Sequence, residues 1–93
     1  MTAERCKRIE ESLSAAFAPS RLRVRDQSHL HAGHAGAQSG RGHFAVDIIS
    51  GAFAGLSPIE RHRRIFAALE EMMETDIHAL SIKAQTPEES NAL

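Results

Sequence analysis

The sequence has neither tryptophan nor tyrosine, and its 93 residues include a single cysteine, Cys6. One cysteine excludes an internal disulfide and a zinc site made of several thiolates. It also favours a reducing compartment, for which we expect the cytoplasm. No apolar run is long enough to span a membrane, and the amino-terminal residues lack the apolar segment of a secretory signal. The formal net charge is −1, so the chain is not a strongly basic protein that binds polyanions through overall charge.

Histidine is the residue type in surplus: there are six, against four phenylalanines. Three of them, His29, His31 and His34, lie in the run SHLHAGH, within a glycine-rich stretch over residues 28–42. Imidazole is a borderline ligand that suits iron, zinc and copper, so this stretch is a candidate metal-binding loop. The alternative is a polar loop in solvent. A fourth histidine, His78, opens the last predicted strand, where it could be a ligand at the rim of the sheet or a partly buried structural residue.

Apolar periodicity predicts the order helix, strand, strand, helix, strand. Two strands joined by a loop pair antiparallel, whereas a helical crossover makes the third strand parallel to the second. We therefore predict a single two-layer α+β domain with a three-stranded mixed sheet over residues 1–87, followed by a flexible tail over 88–93. The predicted elements are a helix over residues 2–17, strands over 21–27, 43–50 and 77–84, and a second helix from Ser57 through about Glu74.

The second helix begins at a clear signal, since SPIE at residues 57–60 is a capping box with proline at the first helical position. His78 is in phase with Leu80 and Ile82, which places it on the apolar face of the last strand. The buried stripe of the second helix is predicted to consist of Ile59, Phe66, Leu69 and Met73, flanked by Ile65 and Met72.

Three arginines and a histidine, RHRR at residues 61–64, occupy the first turns of this helix. Cations near a helix amino terminus oppose the macrodipole at a cost of about 0.3–1 kcal/mol each, which hints at a partner surface or a phosphate site. The alternative is a solvated helix face, with Arg64 paired to nearby acids. Cys6 falls on the apolar stripe of the first helix and is expected to act as a small buried hydrophobe. No arrangement of nucleophile, acid and base is visible, so we do not expect an enzyme.

Four blocks of the sequence form a recognisable set: DQSHLHAGH at residues 26–34, GHF at 42–44, FAGLSPIERHR at 53–63 and IHAL at 77–80. In this order they resemble the BolA family. The resemblance extends from about residue 5 to residue 87, with minor departures at Gln27, where an acid is frequent, and at the LSPIE helix entry. It implies a class II KH-like fold, in agreement with the predicted order of elements.

The resemblance also implies a partner and a cofactor. BolA-like proteins pair with monothiol glutaredoxins, and the heterodimer holds a [2Fe-2S] cluster whose other ligands are a glutaredoxin thiol and a glutathione thiol. On this chain the implied ligands are His78, in the IHAL block, and a loop histidine, either His31 in the matching position or His34 close by. Arg61 and Arg63 are implied to dock the glutaredoxin or to order neighbouring loops. The implied function is non-catalytic, in iron–sulfur trafficking or iron sensing.

A DNA-binding transcriptional regulator is the alternative function, because the KH-like fold and some family members suggest it. The near-neutral net charge argues against strong phosphate binding. Without its partner the chain is expected to be a monomer or a weak homodimer with no tightly held cofactor. His43 and His62 are expected to be structural. A local basic patch could still be formed by Arg23, Arg25, Arg41 and Arg64.

Overall fold

The computed structural model describes residues 2–27 and 42–91. Four of the predicted site residues, His29, His31, His34 and Arg41, lie outside these ranges. Within them, no helix is long and apolar enough to cross a membrane. The elements are α1 (Thr2–Phe17), β1 (Arg21–Asp26), β2 (Gly42–Ile49), a 3₁₀ turn (Gly51–Phe53), α2 (Pro58–Ala68), α3 (Glu70–Thr75), β3 (Ile77–Gln85) and α4 (Pro87–Ser90).

The sheet has the predicted topology. Its strand order is β1-β2-β3, with β1 antiparallel and β3 parallel to the central β2. One face of β2 packs against the core, and its residues Phe44, Val46 and Ile48 are almost fully buried. Ile9 and Leu13 of α1 belong to the same core cluster. The fold is therefore α+β, with helices packed on one face of a mixed sheet, as the sequence predicts.

Helix α1 has the predicted bounds. At its carboxyl end Phe17 packs on the core, with its ring centroid 5.0 Å from that of Phe53. Ala18 follows in the left-handed region, with φ 44°, and its N–H donates to the Ser14 carbonyl at 3.0 Å. The left-handed conformation of Ala18 turns the chain away from the helix axis, and Pro19 has no N–H to donate the next helical hydrogen bond, so the two residues together end the helix.

The capping box at the start of α2 is present as predicted. The Ser57 hydroxyl accepts from the Glu60 N–H at 3.2 Å, and the Glu60 carboxylate accepts from the Ser57 N–H at 3.3 Å. The predicted single helix is interrupted at Leu69, which separates α2 from α3.

The buried face of α2 and α3 matches the predicted stripe only in part. Leu69 is buried and Met73 packs against the core as predicted, but Ile59 and Phe66 are exposed, by 61% and 37%. The flanking residues Ile65 and Met72 are buried as well. The face of α2 that is turned toward the core is therefore rotated relative to the predicted stripe. It includes Arg61, a charged residue that a search for apolar periodicity counts as exposed.

The carboxyl-terminal segment corrects a second prediction. A flexible tail over residues 88–93 is wrong for the described part of that segment, because Pro87–Ser90 forms the short helix α4. Thr86 and Glu89 make a reciprocal capping box at its start, and Thr86 is buried. This turn therefore packs on the domain rather than trailing from it.

Candidate functional site

The parallel pairing of β2 with β3 brings two histidines together at one edge of the sheet. Both strands begin at this edge, and His43 and His78 are each the second residue of their strand. Their imidazole centroids lie 5.1 Å apart, with the ring planes inclined by 56°. We call this pair, at the starts of β2 and β3, the histidine edge.

A β-bulge sets the direction of His78. Gly42 pairs with Ile77 and His43 pairs with Ala79, so His78 is the extra residue in the ladder. Ile77 is fully buried, whereas His78 is exposed. The predicted phase, which put His78 on the apolar face with Leu80, is therefore wrong. The bulge gives the core position to Ile77 and turns His78 toward solvent.

Backbone hydrogen bonds fix the histidine edge in place. The Gln27 N–H donates to the His43 carbonyl at 2.8 Å, and the Gly42 N–H donates to the Asp76 carbonyl at 2.9 Å. These bonds hold Gln27 and Gly42, the described residues on either side of segment 28–41, at this edge. The segment itself, which carries His31 and His34, lies outside the described residues.

The Asp76 carboxylate ties α1 to the same edge. It forms ion pairs with Arg5 at 3.3 Å and with Arg8 at 3.0 Å, and it accepts from the Thr75 hydroxyl at 2.8 Å. Burial favours the neutral acid, but the Thr75 hydrogen bond and the two guanidinium groups together lower the pKa of Asp76. The carboxylate is therefore ionised at neutral pH and is engaged by cations and a hydroxyl.

The donor set of the histidine edge is incomplete for a metal or a cluster. Among the residues described, no group of three or more histidine, cysteine, aspartate or glutamate side chains is placed to hold a metal ion. Two imidazoles are compatible with the histidine half of a shared [2Fe-2S] site, since clusters with mixed histidine and thiolate ligation exist. Further ligands would have to come from elsewhere.

Cys6 is half-buried on α1 and packs against the core. Burial, followed by the negative charges of Asp26 and Glu10, raises the pKa of its thiol. The thiol is therefore protonated at neutral pH, which is the form that neither attacks as a nucleophile nor binds a metal well. Its placement agrees with the predicted packing role.

Arg61 is buried, which corrects the expectation that it is a docking surface. Its Nε donates to the Leu56 carbonyl at 3.0 Å and its Nη1 to the Ala84 carbonyl at 3.1 Å. The guanidinium also binds both carboxylate oxygens of Glu89, at 2.6 and 3.0 Å. We call this group the arginine clamp. Of the two roles implied for Arg61, its contacts are those of ordering neighbouring segments.

The arginine clamp alters the ionisation of Glu89. Hydrogen bonds from the Arg61 guanidinium, and then from the Thr86 backbone N–H, lower the pKa of Glu89 from 4.5 to about 2. The clamp is therefore fully charged at neutral pH, and it joins the start of α2, the end of β3 and α4.

The other predicted arginines fall on two surfaces. Arg63 and Arg64 are exposed on α2. Arg23 and Arg25 are exposed on the sheet face opposite the helices, where Arg25 lies 3.5 Å from Asp47. The structure thus separates the arginines of α2 from those of the strand, because helices cover one face of the sheet and the strand arginines lie on the other.

The pairing of His43 with His78 is the feature that sequence reasoning missed. His43 was expected to be structural, yet the predicted parallel pairing of the second and third strands contains the signal. Residues at the start of two parallel neighbours lie side by side, so histidines near both starts are expected to meet.

Comparisons with known proteins agree with this architecture. The model of the family described as BolA-like protein matches residues 13–89. The chloroplastic protein BOLA1 of Arabidopsis thaliana is 40% identical over 89 residues, which cover 92% of this chain and 56% of that protein. This chain thus spans about half the length of that relative. The DNA-binding transcriptional regulator BolA of Escherichia coli is 41% identical over 87 residues, covering 94% of this chain and 80% of the regulator.

A solved structure gives the same result for the fold. The BolA domain of SufE1 from Arabidopsis thaliana superposes with a TM-score of 0.82 at 44% identity, covering 91% of this chain and 94% of that one. The α+β fold with a mixed three-stranded sheet is therefore that of a small domain already seen in the family. The chain belongs to the BolA family.

Proposed function

We propose that the protein is the histidine-donating partner of a monothiol glutaredoxin, with which it shares a [2Fe-2S] cluster for iron–sulfur trafficking or iron sensing. The observation that carries this proposal is the exposed His78 at a β-bulge. It lies at the same edge as Gln27 and Gly42, the described residues that flank the segment containing His31 and His34. The bulge exposes one imidazole, and in this proposal the partner supplies the thiolate ligands that complete the site.

In this proposal the residues of this chain have two roles, as ligands of the cluster and as supports of the ligand positions. His78 donates a ring nitrogen from a strand that the sheet holds rigid, and His31 or His34 donates the second. Asp76, with Arg5 and Arg8, stiffens the turn between α3 and β3 that precedes His78. When bound, the cluster supplies one-electron chemistry or transferable iron and sulfide. Imidazole ligands give such a cluster a higher reduction potential than thiolates and make its retention sensitive to acid.

The proposal is tested by mixing the chain with a cluster-loaded monothiol glutaredoxin and glutathione and following visible circular dichroism. The wild-type chain should change the spectrum of the glutaredoxin-bound cluster, and His78→Ala should abolish that change. His62→Ala is the matched control, since His62 lies half-buried on α2 rather than at the histidine edge. A spectral change that survives in His78→Ala contradicts the ligand assignment.

The loop ligand is assigned in the same assay. One of His31→Ala and His34→Ala should reduce the spectral change, and the other should leave it close to wild type. Equal and full retention in both variants, and in the variant that combines them, would show that the second ligand is neither histidine.

A DNA-binding regulator is the second candidate, because a relative that bears that name is 41% identical. The exposed sheet face supports it with Arg21, Arg23, Arg25 and Lys83, of which Arg25 is paired with Asp47. The net charge of −1 opposes it. Retention of a promoter fragment at physiological salt, lost when Arg23 and Arg25 are both changed to Ala, would favour this candidate over the first.

A further inference from the structure

The geometry points to a metal-binding site on this chain alone: the imidazoles of His43 and His78 form a two-histidine site for one borderline divalent ion, such as Ni²⁺, Cu²⁺ or Zn²⁺. The site uses one residue of the proposed shared cluster and one that the cluster proposal does not use. It needs no glutaredoxin, so it can be tested separately.

The separation of the rings matches such a site. With metal–nitrogen bonds of about 2.0–2.1 Å, two imidazoles that share one tetrahedral ion have ring centres about 5 Å apart. The centroids of His43 and His78 are 5.1 Å apart. The inclination of 56° between the planes shows that the rings are not stacked face to face.

The backbone holds the pair in position before an ion arrives. His43 is in register with Ala79, and its carbonyl accepts from the Gln27 N–H at 2.8 Å. His78 is held by the bulge between Ile77 and Ala79. Neither backbone has to move for the two rings to share an ion, so binding costs mainly the ordering of two side chains.

The choice of ion class follows from the ligand type. Neutral imidazole is a common ligand of zinc, copper and nickel, whereas magnesium and calcium prefer oxygen ligands. Since no third protein ligand is placed at the pair within the described residues, water would complete the coordination. An ion held there would occupy His78 and so compete with the shared cluster.

The test is a calorimetric titration with Ni²⁺ of the untagged 93-residue chain, in a variant that lacks the three histidines of segment 28–41. In this background His29, His31 and His34 are all changed to Ala, so that they cannot contribute. We expect one Ni²⁺ per chain. Adding His43→Ala, or adding His78→Ala, should each weaken binding by at least about tenfold, because one of two ligands is lost. Adding His62→Ala should leave the affinity unchanged.

Two outcomes overturn the site. Either no Ni²⁺ binds in the background that retains His43 and His78, or the affinity is the same after His43→Ala. Circular dichroism of each variant checks that it folds, and His43→Gln replaces His43→Ala if the latter does not. In the otherwise wild-type chain, substoichiometric Cu²⁺ should broaden the imidazole proton signals of both histidines. Failure of these tests leaves the shared cluster standing, because that proposal is tested with glutaredoxin present.

Discussion

The two ends of the sheet use charged and titratable side chains in opposite ways. At the arginine clamp, Arg61 is 8% exposed, and its guanidinium donates hydrogen bonds to two carbonyls and to the Glu89 carboxylate. At the histidine edge, the anchoring is done by the backbone and by Asp76, and the His78 side chain is left exposed. A residue whose polar atoms are all engaged in the fold serves stability, whereas one that the fold holds rigid and exposed is available to a partner.

The largest effect on stability is expected from the arginine clamp. Arg61→Ala removes two hydrogen bonds to carbonyls and leaves Glu89 without its partner, so the free energy of unfolding should fall by about 2–4 kcal/mol. Arg63→Ala, on the exposed side of the same helix, should change it by no more than about 0.5 kcal/mol. Urea unfolding of both variants measures the difference. Equal losses would show that Arg61 is an ordinary surface residue.

The arginine clamp should also contribute to the loss of folding stability at acid pH. The pKa of Glu89 is lowered from 4.5 to about 2 in the folded chain. A lowered folded-state pKa stabilises the protein above the unfolded value, so this contribution is complete above about pH 5 and is lost as the pH falls toward 2. Glu89→Gln should therefore melt below wild type at neutral pH, and the two melting curves should converge near pH 2.

A gap between wild type and Glu89→Gln that stays constant from neutral to acid pH would contradict this assignment. Asp76 has a lowered pKa at the other end of the sheet and loses its stabilising effect in the same direction. Because Asp76 is present in both proteins, its contribution cancels in the comparison.

A smaller loss is expected at the helix start near the clamp. Ser57→Ala removes the hydroxyl that accepts from the Glu60 N–H, at a cost of about 1 kcal/mol in the free energy of unfolding. Ser14→Ala is the control, since Ser14 is exposed within α1 and alanine is the better helix former. Urea unfolding should show a loss for Ser57→Ala and none for Ser14→Ala.

The smallest effect on stability is expected at the histidine edge. His78→Ala removes an exposed side chain from a strand held by its backbone, so the free energy of unfolding should change by less than about 0.5 kcal/mol. Thermal unfolding of the chain alone measures it. A loss larger than 1 kcal/mol would mean that His78 is structural, and the contrast between the two ends would disappear.

Much of the fold could be predicted because its signals are local. Alternation of apolar residues located the strands, and the capping box located the start of α2. The helix α4 was predictable too, since TPEE at residues 86–89 repeats the capping pattern of SPIE at 57–60. The capping pattern at Thr86 and Glu89 therefore predicts a helix start where the polar composition of the segment favours a flexible tail.

Two features of the site depend on tertiary contacts that no local pattern encodes. The burial of Arg61 requires acceptors from Leu56, Ala84 and Glu89, which meet only in the folded chain. The exposure of His78 depends on a one-residue shift in register, which the alternation of Leu80 and Ile82, extended back to His78, does not predict. The resemblance implies His78 as the ligand, but it does not predict the direction of the side chain.

The central claim is that His78 binds the shared cluster through a ring nitrogen. The most direct measurement is pulsed electron paramagnetic resonance of the reduced cluster, in a heterodimer with monothiol glutaredoxin where only this chain carries ¹⁵N-labelled histidine. The account predicts ¹⁵N couplings from directly bound imidazole, with the His78 contribution absent in His78→Ala and retained in His62→Ala. Histidine couplings that are absent from the wild-type heterodimer, or unchanged in His78→Ala, would contradict it.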